Sequence, residues 1–175
     1  MSITTGRGDG GETDLLFGKR IAKTAARMVA VGSVDELNTA LGVARAAAGD
    51  DALDTILDAL QERLVGLMGE LAVLPEDVDC YREAGYPSLG PEDVALLEGE
   101  AGKIEQSGIR FDGWARPGAA GKLVAAHLDL ARAICRRAER HVLAIEPPVE
   151  NREILRFLNR ASDLLWLLAR RVEQD

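Results

Sequence analysis

The chain has 175 residues, of which 47% are hydrophobic and 29% charged, a mixture typical of one globular domain. Its formal net charge of −8 argues against nucleic acid or an anionic membrane as the main partner, because both attract a basic face. No apolar run approaches the about 20 residues of a membrane span, and the amino terminus lacks the apolar core of a signal peptide, so we expect a cytoplasmic protein.

Residues 1–32 form a glycine-rich segment with little periodicity, for which we predict irregular backbone. Glycine lets backbone N–H groups approach and surround phosphate oxygens. The stretch GRGDGGETD does not match the phosphate-loop pattern, however, and no predicted strand precedes it. From the residues alone, a segment that clamps a phosphate ligand and a flexible tail both remain open.

Helical patterns begin after this segment and continue to the end of the chain. Ser33 and Glu36 have the spacing of a capping box, which predicts the start of the first helix. Apolar residues at helical spacing then predict five helices, and we find no strand alternation, so residues 33–175 are predicted to form an all-α, five-helix antiparallel bundle. The predicted bounds of the first four helices are about 33–48, 51–74, 91–106 and 118–145, with a long loop at 75–90. Asn151 can cap the fifth helix, whose apolar positions extend to Val172.

The fourth predicted helix carries a stripe of arginines in an acidic protein. Arg132, Arg136 and Arg140 lie four residues apart, so their like charges share one face and repel each other. Such a stripe is expected to face something negative, either a polyphosphate ligand or a carboxylate of another element. The alternative is a solvated helix face, partly neutralised by Asp129 and Glu139.

Polar residues mark two more helices. Asp35 lies in the first turn of the first predicted helix, where it either compensates the helix dipole or pairs with the arginine stripe of another helix or subunit. Asn159, Arg160 and Asp163 interrupt the apolar pattern of the fifth helix. Because buried polar groups need partners, they indicate a shared site; a stripe that faces water fits the spacing equally well.

Cysteines and histidines indicate no metal site. Cys80 and Cys135 lie far apart without CxxC spacing, which excludes an obvious zinc site or disulfide framework and agrees with a reducing cytoplasm. His127 and His141 have no further ligand at suitable spacing, so we predict packed or surface histidines.

Together, these segments resemble the propanediol-utilisation type of ATP:cob(I)alamin adenosyltransferases. The resemblance runs from about residue 5 to residue 170 and includes a threonine- and glycine-rich opening, a Gly-Lys-Arg cluster and the stretches GSVDELN, CRRAER and LNRASD. It implies a homotrimer of ferritin-like bundles with active sites between subunits. There the 5′-deoxyadenosyl group of ATP would pass to cob(I)alamin with release of triphosphate. Magnesium would arrive with ATP, with no metal ligand assigned directly to the protein.

The resemblance also implies site residues. The corrinoid would contact Asp35, Trp114, Arg132 and Arg136, and three of these, Asp35, Arg136 and Trp114, would have catalytic roles. Asp35 and Arg136 match a pair that bridges neighbouring subunits in the family. The residues that would bind ATP are Thr5, Gly8, Asp9, Gly11, Thr13, Lys19, Lys23, Arg136, Glu139, Arg140 and Asn159.

Several positions depart from the family pattern, namely Gly6, Arg7, Trp114, Arg116, Ala119 and Asp129. Because they cluster on the implied ATP and corrinoid contacts, a second hypothesis is a non-catalytic bundle that binds ATP or corrinoid as a sensor or escort. A third is a structural helical oligomer whose charges only direct assembly.

Overall fold

Helices make up most of a computed structural model of the chain, which describes residues 4–110 and 113–174. A hairpin of two short antiparallel strands, β1 (Glu12–Asp14) and β2 (Arg20–Ala22), precedes them. The predicted all-α bundle is confirmed. The helices of the described chain are α1 (Ala26–Ala47), α2 (Asp51–Leu71), α3 (Val78–Glu83), α4 (Pro91–Gln106), α5 (Leu123–Leu143) and α6 (Glu153–Gln174).

The five long helices pack side by side in the order α2, α1, α5, α6 and α4. Apolar residues recur on one side of each helix at helical spacing, so each helix turns an apolar stripe toward the shared core. Phe157 and Leu158 of α6 are fully buried at its centre. In the first three helix pairs the early part of one helix meets the late part of the next, through Arg45–Asp54, Ser33–His141 and Asp129–Arg170.

The pair of α4 and α6 runs parallel instead. Just before α6, Asn151 Nδ2 donates to the carbonyl of Leu89, just before α4, at 2.9 Å. Near the other ends, Gln174 Nε2 donates to the carbonyl of Arg110 at 2.9 Å. The antiparallel prediction therefore holds for three of the four neighbouring pairs, and Arg110, after α4, lies against the carboxyl end of α6.

The predicted start of the first helix at Ser33 is wrong. Helix α1 begins at Ala26, so residues 26–32 are helical rather than irregular. Ser33 is buried within the helix, where its hydroxyl donates to the carbonyl of Val29 at 2.8 Å and lies 2.5 Å from His141 Nδ1. A serine can satisfy its hydroxyl on the preceding turn, so the spacing to Glu36 did not mark a cap.

The predictions of irregular backbone in the segment before α1, here called the leader, and of a long loop at 75–90 also need correction. The leader contains the β1–β2 hairpin, in which Thr13 pairs with Ile21, and strands of three residues are too short to show an alternating pattern. The loop contains the short helix α3. Among the other bounds, α4 matches its prediction, while α2 ends earlier and α5 is shorter at both ends. No helix of the described chain has the length and apolar character that crossing a membrane requires.

The two cysteines should differ in reactivity. Cys135 is fully buried, its thiol donates to the carbonyl of Leu158 at 3.2 Å, and burial raises its pKa to about 12. Cys80 is exposed on α3. Because the thiolate is the reactive form, we expect one thiol to react with a chromogenic thiol reagent in the native protein and two after denaturation. Two fast-reacting thiols in the native protein would contradict this packing.

Glu70 links three segments at one end of the bundle. Its carboxylate accepts from the backbone N–H of Leu89 and from Asn151 Nδ2, each at 2.8 Å, while Asn151 Oδ1 caps α6 by accepting from the N–H of Glu153, as predicted. Burial raises the pKa of Glu70, and the hydrogen bonds offset only part of the increase.

A pH dependence of stability follows from this raised pKa. The folded chain holds the Glu70 proton more tightly than the unfolded chain. Its contribution to stability is therefore present below the ordinary value of 4.5 and is lost as the pH rises through the folded value. We expect the unfolding free energy of the wild type to fall relative to Glu70→Gln between about pH 4 and pH 7. Urea unfolding at several pH values tests this, and parallel curves would contradict it.

Candidate active site

The start of the leader is a chain of tight turns. The N–H of Asp9 donates to the carbonyl of Gly6 at 3.1 Å, and the N–H of Gly11 donates to that of Gly8 at 3.2 Å. Gly6 and Gly11 have φ values of 67° and 85°, in the left-handed region that favours glycine. These turns leave Thr5, Asp9 and Gly11 exposed.

Lys23 lies against these turns. Its N–H donates to the carbonyl of Gly11 at 2.8 Å, and a Cβ added at Gly8 would lie only 2.8 Å from Lys23 Nζ. The structure thus brings together three of the predicted ATP residues. Thr13 lies on β1 and Lys19 in the hairpin connection, where Lys19 Nζ is 3.9 Å from Asp77 Oδ2.

The hairpin is fastened to one end of the bundle. Leu15 is buried, and the N–H of Leu16 donates to the carbonyl of Ala72, after α2, at 3.1 Å. Beneath it, the buried Arg27 donates to the carbonyl of Leu71 at 3.0 Å. Burial lowers the pKa of Arg27, partly offset by the charge of Glu76. The leader is therefore a folded element rather than a loose tail.

Arg7, one of the departures from the family pattern, takes part in this hairpin. Its Nη2 lies 3.1 Å from Asp14 Oδ1, the same oxygen that Arg20 Nη1 contacts at 2.9 Å. Arg20 also donates to the carbonyl of Arg7 at 3.0 Å. Arg7 thus contributes to the ion pairs that hold the leader closed on itself.

The arginine stripe on α5 is only partly neutralised within the chain. Arg132 pairs with Asp129 at 3.2 Å. Arg136 and Arg140 are exposed, and the Arg140 side chain donates from Nη1 to the backbone carbonyl of Arg136 at 2.9 Å. Within the described residues, neither guanidinium has an ion-pair partner, and the exposed carboxylate of Asp35 has none either. Neutralisation by a neighbouring carboxylate is therefore observed for Arg132 alone, while the exposure of Arg136 and Arg140 fits a solvated helix face as well as a site for an anionic ligand.

Glu139 and Asn159 come together across α5 and α6, as the sequence suggested. Asn159 Nδ2 donates to Glu139 Oε1 at 3.3 Å, and Arg160 donates to Asn159 Oδ1 at 2.7 Å. Arg160 also pairs with Asp163 at 3.2 Å. Glu139, Asn159 and Arg160 line an open cleft between the two helices and α4.

Trp114 borders a second cleft, over α5 and α6. It projects from the connection between α4 and α5 with 93% of its surface exposed. Its neighbours in the cleft are Gly113, Ala115, Pro117, Asp129, Arg132, Trp166 and Arg170.

Between described residues 5–23 and the arginine stripe, the structure contains no direct polar link. Among the hydrogen bonds and ion pairs of described residues 5–23, none reaches Arg132, Arg136 or Arg140. The described residues also contain no group of three acidic, histidine or cysteine side chains suited to hold a metal ion.

A sequence profile described as Cobalamin adenosyltransferase matches residues 3–172. The chain belongs to this family. The corrinoid adenosyltransferase PduO of Salmonella typhimurium is 34% identical over 176 residues and covers all of this chain. The corrinoid adenosyltransferase of Bacillus subtilis is 35% identical, over 97% of this chain and 86% of that protein.

The chain spans about half the length of the PduO relatives from Salmonella typhimurium and Citrobacter freundii, 51% in each case. A solved structure that it resembles is a variant PduO-type ATP:corrinoid adenosyltransferase from Lactobacillus reuteri, complexed with cobalamin and ATP. The TM-score is 0.87 at 28% identity, over 99% of this chain and 96% of the other. The helical bundle of this chain is thus the fold of the PduO-type members of the family.

Sequence reasoning missed Arg170 and Trp166, which line the cleft beside Trp114. Arg170 is 5% exposed although it stands within an apolar helical pattern near the end of the chain. A charge at a core position predicts a buried partner, and that signal was available. The sequence did not show that this partner is Asp129, which lies on another helix.

Proposed function

We propose that the chain transfers the 5′-deoxyadenosyl group of ATP to cob(I)alamin and releases triphosphate. The observation that carries this proposal is the agreement of nearly the whole fold, at a TM-score of 0.87, with a transferase solved with cobalamin and ATP. Arg136 and Arg140 support it, because they are exposed, have no ion-pair partner among the described residues, and offer positive charge to a polyphosphate.

The proposed active site lies between two copies in a homotrimer. The leader of one subunit and the α5–α6 face of the next would enclose ATP. This arrangement would explain why no hydrogen bond or ion pair joins described residues 5–23 to the stripe within one chain. Asp35 and Arg136 are oppositely charged, exposed and unpaired in the described chain, as expected of groups that meet across an interface.

In the reaction, the electron pair of Co(I) forms a bond to the ribose 5′ carbon, and the bond from that carbon to the phosphate oxygen breaks. The leaving triphosphate takes the electrons of the broken bond, and cobalt becomes formally Co(III). The cobalt centre is itself the nucleophile, so the protein need only align the partners and stabilise the charge that develops on the triphosphate. Lys23, Arg136 and Arg140 would supply that charge, and the ring of Trp114 would shield the corrinoid.

Magnesium fits this site as a companion of ATP. The described residues offer no cage of three acidic ligands, so the triphosphate oxygens and water would supply most of its coordination. Asp9 and Thr13, in the leader, carry the oxygen groups that could accept hydrogen bonds from that water shell.

The experiment is a spectroscopic assay of the full chain with ATP, magnesium and cobalamin held as cob(I)alamin by a strong reductant. The proposal expects the light-sensitive spectrum of adenosylcobalamin to appear only with ATP, from a protein that sediments as a trimer. Binding of both ligands without turnover would favour the sensor or escort hypothesis, which the engagement of Arg7 within the hairpin supports. Absence of binding would reject both.

A further inference from the structure

A buried charge network lies where α5 meets α6, beneath Trp114. Asp129 is 3% exposed and Arg170 is 5% exposed. Arg170 Nη2 donates to Asp129 Oδ2 at 2.5 Å, while Arg132 Nε donates to Asp129 Oδ1 at 3.2 Å. Each oxygen of this buried carboxylate therefore accepts a hydrogen bond from a different guanidinium group.

The two arginines are restrained to different degrees. Arg170 is also held by Glu173, with Nε 2.7 Å from Oε2, and its guanidinium lies 5.6 Å above the ring of Trp166. Arg132 is bound by Asp129 alone among its hydrogen bonds and ion pairs in the described chain, and 28% of its side chain is exposed. Asp129 is thus the group that fixes the direction of Arg132, whereas Arg170 is fixed by several partners.

The exposed part of Arg132 lines the cleft beside Trp114. The same cleft contains Trp166, so both tryptophans of the chain border it. A corrin ring carries amide side chains whose carbonyl oxygens accept hydrogen bonds, and a guanidinium held in one direction is a strong donor to such groups.

We propose that Asp129 is a positioning residue for the corrinoid: it aims Arg132 into the cleft without itself touching the ligand. This inference rests on the proposed function, because it takes the corrinoid as the occupant of the cleft. The anion between the two guanidiniums keeps them from repelling each other and lowers the entropy that Arg132 loses when it binds.

The test uses the fluorescence of the two tryptophans, titrated with cob(II)alamin in the presence of ATP and magnesium. Asp129→Asn preserves the shape of the side chain and removes its charge. We expect its dissociation constant for cob(II)alamin to rise about tenfold, with that for ATP unchanged. Asp58→Asn is the matched control, since Asp58 pairs with Arg45 on the α1–α2 face, and it should bind both ligands like the wild type.

A double-mutant cycle separates positioning from simple loss of structure. In an Arg132→Gln background, Asp129→Asn should have no further effect on the dissociation constant for cob(II)alamin. An equal loss of affinity for cob(II)alamin in both backgrounds would show that Asp129 acts by stabilising the helical bundle rather than by orienting Arg132. That result would overturn the proposal. Arg132→Gln alone keeps the Asp129–Arg170 pair and should by itself weaken cob(II)alamin binding about tenfold; unchanged binding would also overturn it.

The outcomes distinguish this inference from the proposed function. A wild type that binds cob(II)alamin at the tryptophans but never forms adenosylcobalamin contradicts the transferase activity and leaves the role of Asp129 standing. A wild type that turns over while both variants bind normally contradicts the role of Asp129 alone. A wild type that does not bind corrinoid contradicts both.

Discussion

Arg136→Ala should lower the rate of adenosyl transfer by about 100-fold or more. The Arg136 side chain is exposed, without an ion-pair partner in the described chain, and lies on the same face of α5 as Arg140. In the proposed site it would meet the triphosphate, where charge develops as the carbon–oxygen bond breaks. The measurement is kcat/KM for ATP under saturating cob(I)alamin, together with calorimetric titration of ATP and magnesium.

Lys103→Ala is the control for this substitution. Lys103 lies on α4 and pairs with Glu100 within its own helix, so its removal changes the net charge equally but should leave turnover near the wild-type rate. If Arg136 also meets Asp35 of a neighbouring subunit, Asp35→Asn should reduce trimer formation in parallel. Wild-type kinetics in Arg136→Ala would remove this residue from the site.

Arg170→Met should lower the free energy of unfolding by about 3–5 kcal/mol. The substitution leaves the buried carboxylate of Asp129 with Arg132 as its one ion-pair partner in the described chain, and Arg132 reaches only one of its oxygens. Glu173 loses its partner as well. Urea unfolding at fixed protein concentration measures the loss, since assembly would otherwise change the apparent stability.

Two comparisons sharpen that prediction. Arg156→Met, on the same helix, removes an exposed pair with Glu153 and should change stability by less than about 1 kcal/mol. The double variant Asp129→Leu with Arg170→Met removes both buried charges and should recover much of the loss, because an apolar pair carries no desolvation cost. A single Arg170→Met variant as stable as the wild type would mean that water already reaches this pair.

Local signals predicted the bundle better than they predicted its connections. Pro91 starts α4 and Asn151 caps α6 through contacts within a few residues of the chain. The sequence alone therefore predicts where these two helices begin. Ser33 shows the opposite case. Its capping pattern was overridden because α1 has an apolar face that continues to Ala30, and because its hydroxyl meets His141 of a distant helix.

The candidate site was predictable only where local motifs mark its residues. Glu139 and Asn159 could be placed together because family motifs lie on both helices, and the structure confirms that they touch. The Asp129–Arg170 pair joins residues 41 positions apart, which no local pattern connects. In the proposed site, the meeting of the leader with Arg136 would require a second copy of the chain, so neither local propensity nor the packing of one subunit could predict it.

Residues 107–122 link two helices that are not neighbours, since α6 lies between α4 and α5. Four residues of this link line one side of the tryptophan-lined cleft, namely Gly113, Trp114, Ala115 and Pro117. Insertions or deletions in this link would change the shape of that side of the cleft while the helices keep their register, because loops tolerate length changes that packed elements do not. With a corrinoid in this cleft, as proposed, selectivity among macrocycles would diverge through this one connection while the scaffold stays constant.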